Sequence, residues 1–372
     1  MTHEDYMRRA IDLARRGEGH VAPNPMVGCV VVKDGRIIGE ACHEHVGEFH
    51  AERNALLHCS EDPEGADLYV TLEPCCHYGR TPPCTEIILE KKIRRVYIAA
   101  MDVNPLVAGK GAEILRDHGV EVHTGLLEKE ALEMAEVFFH SMSTHTPFVA
   151  LKYAMSLDGK IACASGDSRW ITGESARAYV HTLRKRYTGI MVGIGTVLAD
   201  DPMLNCRTEE GVDPVRIVCD SKLRLPPDSN LVRTAHEIPV LEICTEDVIR
   251  TEEGQKKQKY LEEAGVTVIP CGAGQVDLKA LMPLLFEEHG VDSILLEGGG
   301  TLAGSALEAG ILQRVYAFVA PKLIGGADAR SPVEGKGAAT MAEVPELQDV
   351  TVVWFGPDLC VTGTLPAKTK GA

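Results

Sequence analysis

The stretch Phe49–His58, FHAERNALLH, places a histidine and a glutamate two residues apart where a helical pattern begins. Thr71–Leu89, TLEPCCHYGRTPPCTEIIL, adds three cysteines and another histidine. A catalytic zinc site takes three protein ligands and keeps one position open. His50, Cys75 and Cys84 supply one imidazole nitrogen and two thiolates, a set that suits zinc. Cys84 falls at the start of the helical pattern TEIILEKK, where the positive end of the helix dipole favours a thiolate. Glu52 is not needed as a ligand. It could hold the attacking water, take its proton and pass that proton to a leaving amine.

His-x-Glu followed by Pro-Cys-x-x-Cys is the signature of zinc-dependent nucleobase deaminases as a class. Here eight residues, not two, separate Cys75 from Cys84. His-x-Glu alone would fit an exposed helix start equally well; the added cysteines tip the reading towards a metal. Cys76 could replace Cys75, but the Pro74-Cys75 order favours Cys75 and leaves Cys76 as a buried small apolar residue. Cys29, Cys42 and Cys59 are expected in cores or at element edges. His43 and His77 are either surface histidines or substrate donors.

A second group of candidates lies beyond residue 147. No G-x-G-x-x-G follows a strand there, so the standard dinucleotide fingerprint is absent. Instead, ILLEGGGTLAGSALEAG runs from a strand pattern into a helix, and Gly298, Gly299 and Gly300 would let backbone amides approach a phosphate. A tight structural turn explains the same glycines. VGIGTVLADDPMLNCR combines Gly193 and Gly195 with Thr196, Asp200 and Arg207; a capped helix with solvated charges is its plain alternative.

The elements that must carry these residues alternate along the chain. Tyr6, Ala10, Leu13 and Ala14 mark one face of an N-terminal surface helix. VGCVVVKDGRIIGEA reads as a hairpin turned at Asp34-Gly35. The HAERNALLH helix, the strand DLYVTLEP, the helix TEIILEKK, the strand RRVYIAAMD, a helix near Lys110–His118, the strand GVEVHTG and one helix EKEALEMAEVFFHSM follow. Pro147 then marks a hinge. Beyond it, FVALKYAM, TGIMVGIG, VRIVCD, VTVIP, SILLEGG, VYAFVAP and DLCVTGTL are strand-like, separated by helical patterns such as SARAYVHTLRKR. Two α/β domains are expected, residues 1–146 and 147–372.

Composition narrows the partners. A formal net charge of −16 argues against a nucleic acid, though a few local arginines suffice for one phosphate. No run of about 18 apolar residues exists and the N-terminus has no signal-like apolar core. The 12 cysteines lack the dense spacing of a secreted scaffold, which points to a reducing cytoplasm.

Taken together, APNPMVGCVVVKDG, GEFHAERNAL and TLEPCCHYGRTPPCTEIIL resemble the bifunctional riboflavin-biosynthesis deaminase/reductases, a family in which the insertion CHYGRTPPC is usual. LKYAMSLDGKIA, SRWITG, VGIGTVLADDPMLNCR and EGGGTLAGS resemble the reductase half of the same family. The resemblance runs from about Tyr6 to Thr364. It implies a cytidine-deaminase-like α/β/α domain followed by a dihydrofolate-reductase-like α/β domain. By this resemblance one zinc ion is held by His50, Cys75 and Cys84, Glu52 shuttles protons, and Asn24, His43 and His77 contact the pyrimidine. The family usually has Gly-Tyr or Gly-Phe where this chain has Ala41-Cys42. Ala154, Trp170, Thr196, Asp200, Ser221 and the run Gly299, Gly300, Thr301, Leu302, Ala303, Gly304, Ser305 would face NADPH. Ser168, Arg184, Leu204, Arg207 and Glu297 would face the second substrate, with Lys152 a further substrate or proton-transfer residue. The two arginines suit a ribose phosphate, because guanidinium forks grip phosphate oxygens. The implied partners are small phosphorylated pyrimidines and further copies of the chain, as a dimer or tetramer, with no membrane. Two rivals stand beside this reading. A polynucleotide deaminase lacks support in an acidic chain without a basic or aromatic strand groove. A reductase with a merely structural zinc module leaves Glu52 without a purpose.

Overall fold

The computed structural model describes residues 1–208 and 211–366, and the chain divides into two compact units, Met1–His145 and the remainder from Thr146. Residues 209–210 and 367–372 of the expected second domain lie outside the described residues.

The first unit is built on β1 (Gly28–Lys33), β2 (Arg36–Cys42), β3 (Asp67–Leu72), β4 (Arg95–Ala100) and β5 (Glu121–Thr124). They lie in the order β2-β1-β3-β4-β5, with β1 antiparallel to both neighbours and β3, β4 and β5 parallel. Asp34 and Gly35 have φ of 50° and 75° and close the β1–β2 hairpin. Two left-handed residues match the twist of the flanking strands, which is why Asp-Gly was readable as a turn. Helix His3–Ala14 buries Tyr6, Met7, Ala10, Ile11, Leu13 and Ala14; its N-terminus is closed by a reciprocal Thr2–Asp5 capping box. The sheet core beneath it is led by Cys29, Val30, Leu68, Val70, Val96 and Ile98. The single helix expected over EKEALEMAEVFFHSM is two, Glu128–Met134 and Glu136–Thr144, broken at Ala135 (φ −103°, ψ 24°). Burying Ala131 and Met134 with one piece and Phe138 and Ser141 with the other needs that change of direction.

The second unit contains β6 (Phe148–Ser156), β7 (Gly189–Gly193), β8 (Val215–Cys219), β9 (Val240–Cys244), β10 (Val266–Pro270), β11 (Ser293–Glu297), β12 (Arg314–Ala320), β13 (Gln348–Phe355) and β14 (Asp358–Thr364). Among the described residues they form one sheet in the order β10-β9-β8-β7-β11-β6-β12-β14-β13. The strands from β10 to β12 pair in parallel, and β14 and β13 extend the sheet antiparallel. Two apolar layers cover the sheet, one around Leu151, Ile217, Leu281 and Leu296, the other around Ile190, Val218, Leu231 and Leu261. The parallel order aligns the carboxyl ends of β6, β7, β8 and β11, the edge at which open α/β sheets bind ligands. Ala154 lies near one of these ends, Gly193 and Glu297 terminate two others, and Ser221 follows the fourth.

Candidate metal centre and nicotinamide site

In the first unit the donor atoms of His50, Cys75 and Cys84 lie within 4.8 Å of one another. His50 Nδ1 is 3.4 Å from Cys75 Sγ and 3.6 Å from Cys84 Sγ. A tetrahedral zinc with ordinary Zn–N and Zn–S lengths has an N···S edge of about 3.6 Å, so the donor spacing fits that ion. Local structure fixes each donor. His50 is the N-cap of helix Ala51–Leu57, Cys84 is the first residue of helix Cys84–Glu90, and Cys75 lies just beyond β3. The Cys84 N–H donates to Cys75 Sγ at 3.3 Å, so the helix start itself stabilises the thiolate. The Cys75 thiol is lowered to about 4 by its bond to Cys84 and, against burial, by His50, while the Cys84 thiol is pushed up by the same Cys75 contact and by burial. The pair therefore holds one negative charge readily.

Glu52, in the first turn of the helix, is 3% exposed. Its carboxyl is pushed up to about 7, by burial first and the Cys75 charge second, with His50 opposing. His43 is buried, and burial lowers its pKa. Facing the Phe49 carbonyl at 3.2 Å, its Nδ1 must be the donor, which leaves Nε2 to accept from Asn24 Nδ2 at 3.1 Å. Asn24, His43 and His50 thus form one line, the two imidazoles 5.3 Å apart. His77 is half-buried, with Nδ1 enclosed and unpartnered. Cys76 is half-buried, where a buried residue was expected, and its thiol points to the Leu106 carbonyl at 3.6 Å, away from the three donors.

Asp102 was missed by sequence reasoning. Burial raises its pKa to about 6, with Glu73 and Cys75 adding to the rise and His77 opposing it. Glu73 accepts from the backbone N–H groups of Asp102, Gly109 and Ala112 and holds that segment beside the ligand loop. The run DVNP after β4 was the only available signal.

In the second unit Glu297 is the hub. Arg184 donates to it through Nε (2.8 Å) and Nη2 (3.2 Å), and Lys152 Nζ lies at 3.4 Å. Burial would raise the Glu297 pKa, yet Arg184 and Lys152 outweigh it and hold the carboxyl at about 2. Arg184 Nη1 donates to the Asn205 carbonyl at 3.1 Å, so the arginine expected on a phosphate is engaged within the protein. Arg207 is exposed and, among the described residues, makes a long contact from Nε to Asn205 Oδ1 at 3.4 Å. His181, also missed, feels Arg184, Arg207, Glu297 and Lys152, and its Nδ1 is enclosed without a partner. The spacing Arg177, His181, Arg184 on one helix face was the overlooked signal.

The two glycine-rich stretches do meet. A Cβ on Gly298 would lie 2.7 Å from Thr196 Oγ1, and Gly193 faces Leu302. Gly299 has φ 58° and open space beside it. Gly300 and Gly304 have another explanation: a Cβ there would come within 2.4 Å of the Ser331 carbonyl and 1.8 Å of the Glu334 carbonyl. Thr301 is hydrogen-bonded to Glu334, Ala303 belongs to the core, and Ser305 is exposed further along the helix. Ser168 and Asp200 line one cleft of about 410 Å³ with Arg169, which pairs with Asp200 at 3.3 Å. Trp170 is 62% exposed and stacked under Arg177, whose guanidinium lies 4.4 Å from the ring centre. Leu204 is buried with φ 50°. Ser221 Oγ accepts from the Val276 N–H.

Comparison with known proteins gives two family matches. Residues 1–100 match the cytidine and deoxycytidylate deaminase zinc-binding region, and residues 147–361 match the RibD C-terminal domain. The chain is 51% identical over 361 residues to riboflavin biosynthesis protein RibD of Actinobacillus pleuropneumoniae, covering 96% of this chain and 94% of the relative. It is 39% identical to RibD of Escherichia coli K12, covering 97% and 99%. Among solved structures, Acinetobacter baumannii RibD superposes with a TM-score of 0.86 at 36% identity over 98% of each chain. The Thermotoga maritima diaminohydroxyphosphoribosylaminopyrimidine deaminase/5-amino-6-(5-phosphoribosylamino)uracil reductase does so at 0.84 and 38%, again over 98% of each.

Proposed function

The chain belongs to the bifunctional riboflavin-biosynthesis deaminase/reductases, and from that membership we propose how its two halves divide two successive reactions. Residues 1–146 replace the 2-amino group of a phosphoribosylated diaminopyrimidinone by oxygen and release ammonia. Residues 147–372 reduce the ribosyl side chain of the product to ribityl with NADPH. The observation that carries the first step is the convergence of His50, Cys75 and Cys84 beside a buried Glu52.

His50, Cys75 and Cys84 would hold the zinc ion, whose chemistry when bound would be to supply a nucleophilic water near neutral pH. The remaining work belongs to side chains of this chain. Glu52 takes a proton from the attacking water and gives it to a ring nitrogen, then takes the proton of the newly added hydroxyl and gives it to the departing amine, which leaves as ammonia. A carboxyl near neutrality exchanges protons in both directions, and a cation at the three donors would lower its pKa and favour the proton-accepting form. His43 stays neutral and fixes the Asn24 amide through Nε2, which leaves Asn24 Oδ1 to accept from an N–H of the pyrimidine. His77 and Asp102 close the same pocket.

In the second half, Thr196 with Gly298 and the open side of Gly299 fit a cofactor whose phosphates approach backbone amides. NADPH supplies the hydride; Lys152, Arg184 and Glu297 form the fixed charged floor against which the ribose is aligned. Exposed Arg207 is the arginine assigned to the phosphate. A cytoplasmic homo-oligomer completes the reading. It is supported by the exposed edge strand β13, which presents Val350, Val352 and Trp354, while no helix among the described residues is long and apolar enough to cross a membrane. Replacing Cys75 or Cys84 by Ser should strip zinc, measured by metal analysis, and abolish ammonia release while reduction of deaminated substrate continues. Full zinc occupancy in both variants would refute the ligand assignment.

A further inference from the structure

Between β6 and the helix Glu174–Arg186 runs Leu157–Gly173, seventeen residues with neither helix nor strand. Such a segment has no hydrogen-bond ladder of its own, so its order depends on what it is tied to. Asp158 provides the tie. Its Oδ1 accepts from the Ile324 N–H at 3.0 Å and its Oδ2 from the Gly325 N–H at 2.6 Å, both in the loop after β12. Ser156 Oγ donates to Asp158 Oδ1 at 2.6 Å and accepts from the Lys160 N–H at 3.0 Å, which fixes the carboxylate against the end of β6. Gly325 and Gly326, at φ 69° and 84°, give the loop the left-handed turn that presents these amides. Further bonds run alongside: Leu157 N–H to the Lys322 carbonyl at 2.8 Å, Ile161 N–H to the Arg330 carbonyl at 2.9 Å, Lys160 Nζ to the Ala329 carbonyl at 3.1 Å and Lys322 Nζ to the Trp170 carbonyl at 2.6 Å.

We propose that Asp158 is a positioning residue of the reductase half, fastening the segment that carries Ser168 and Trp170 to the loop after β12. The proposal rests on the reading that Ser168 and Trp170 face substrate and cofactor. Asp158 is exposed and belongs to no core cluster, so its removal loosens the segment without opening the interior. The Ser156 hydroxyl and the two loop amides also hold its carboxyl near 2, so the clasp stays charged across the physiological range.

The test uses the full chain carrying Trp354→Phe, which leaves Trp170 as the sole tryptophan. Asp158→Ala and Asp158→Asn are compared by hydrogen–deuterium exchange, thermal midpoint and NADPH titration of Trp170 fluorescence. Asp158→Ala should exchange about tenfold faster in residues 157–172 and 321–330 and bind NADPH about tenfold more weakly, the loss expected from one charge-assisted bond. Its thermal midpoint should stay at the parent value, and Asp158→Asn, which keeps one acceptor oxygen, should fall between. Parent-like exchange in Asp158→Ala overturns the proposal. So does faster exchange with unchanged NADPH affinity and unchanged reductase KM. If NADPH leaves the parent's fluorescence unaltered, the nicotinamide reading fails separately, and the exchange rates alone decide whether the clasp exists.

Discussion

Glu297→Gln should cost the second half about 3 kcal/mol of stability at pH 7. The carboxyl is held at about 2 against an ordinary value of 4.5, a shift worth about 3 kcal/mol between its two protonation states. No large discount for solvent applies, because the side chains of Glu297, Lys152 and Arg184 are only 11%, 15% and 14% exposed. A glutamine preserves the shape but leaves two enclosed cations facing a neutral amide, the costly way to break a buried pair. The sign follows from the depressed value. The contribution is complete above the ordinary carboxylate range and is lost as pH falls from about 4.5 towards 2. Both tryptophans, Trp170 and Trp354, lie in the second half, so urea unfolding followed by tryptophan fluorescence reports that unit alone. The parent should lose stability over this acid range and the variant should be flatter. Adding Lys152→Met and Arg184→Met should recover most of the loss by removing the stranded charges. A single variant within about 0.5 kcal/mol of the parent at pH 7, a change typical of neutral surface sites, would refute the reasoning.

Two further outcomes follow from individual side chains. Arg207→Ala should weaken binding of the phosphorylated substrate by one to two orders of magnitude, since a charge-assisted contact is worth roughly 1.5–3 kcal/mol, with NADPH affinity unchanged. Equal discrimination between phosphorylated and dephosphorylated substrate in parent and variant would make Arg207 a solvated loop charge. Glu242 is fully buried, its carboxyl faces the Asp220 carboxylate with no donor on either oxygen among the described residues, and burial followed by Asp220 pushes its pKa well up. Its folded value lies above the unfolded one, so stability is lost as pH rises past the ordinary carboxylate range. Glu242→Gln should therefore stabilise the protein by roughly 1–3 kcal/mol at pH 8 and by less at pH 5, checked by urea unfolding at both; a destabilised variant would contradict the assignment.

What the sequence made legible were features decided locally. The Asp34-Gly35 turn needs two left-handed residues, and His50-Ala51-Glu52 sits at a helix start whichever way the rest folds. The strands that escaped notice show the limit. β9 reads VLEIC, and its buried Glu242 interrupts the apolar run that marks a central strand. β13, QDVTVVWF, is exposed on both faces except at Phe355, so it has no in–out alternation to detect. The site failed in the same way. Ligand spacing revealed the three donors, whereas Asp102 and His181 enter through tertiary contacts alone. The sequence shows the Arg184 guanidinium but not the Glu297 carboxylate it faces. Gly300 reads as a phosphate glycine and Gly304 as a cofactor-facing one, while the backbone of Ser331–Glu334 gives both a packing reason to lack a side chain.

In the proposed deamination Glu52 moves protons beside a zinc ion held by other residues. Glu52→Gln keeps the side-chain size and removes the exchangeable carboxyl, so zinc content and ammonia release measured on one preparation decide it. Zinc should remain at about one per chain while ammonia release falls by a factor of at least about 100, the contribution of a lost general acid–base. Parent-like ammonia release with zinc retained, or loss of zinc together with activity, would contradict the account.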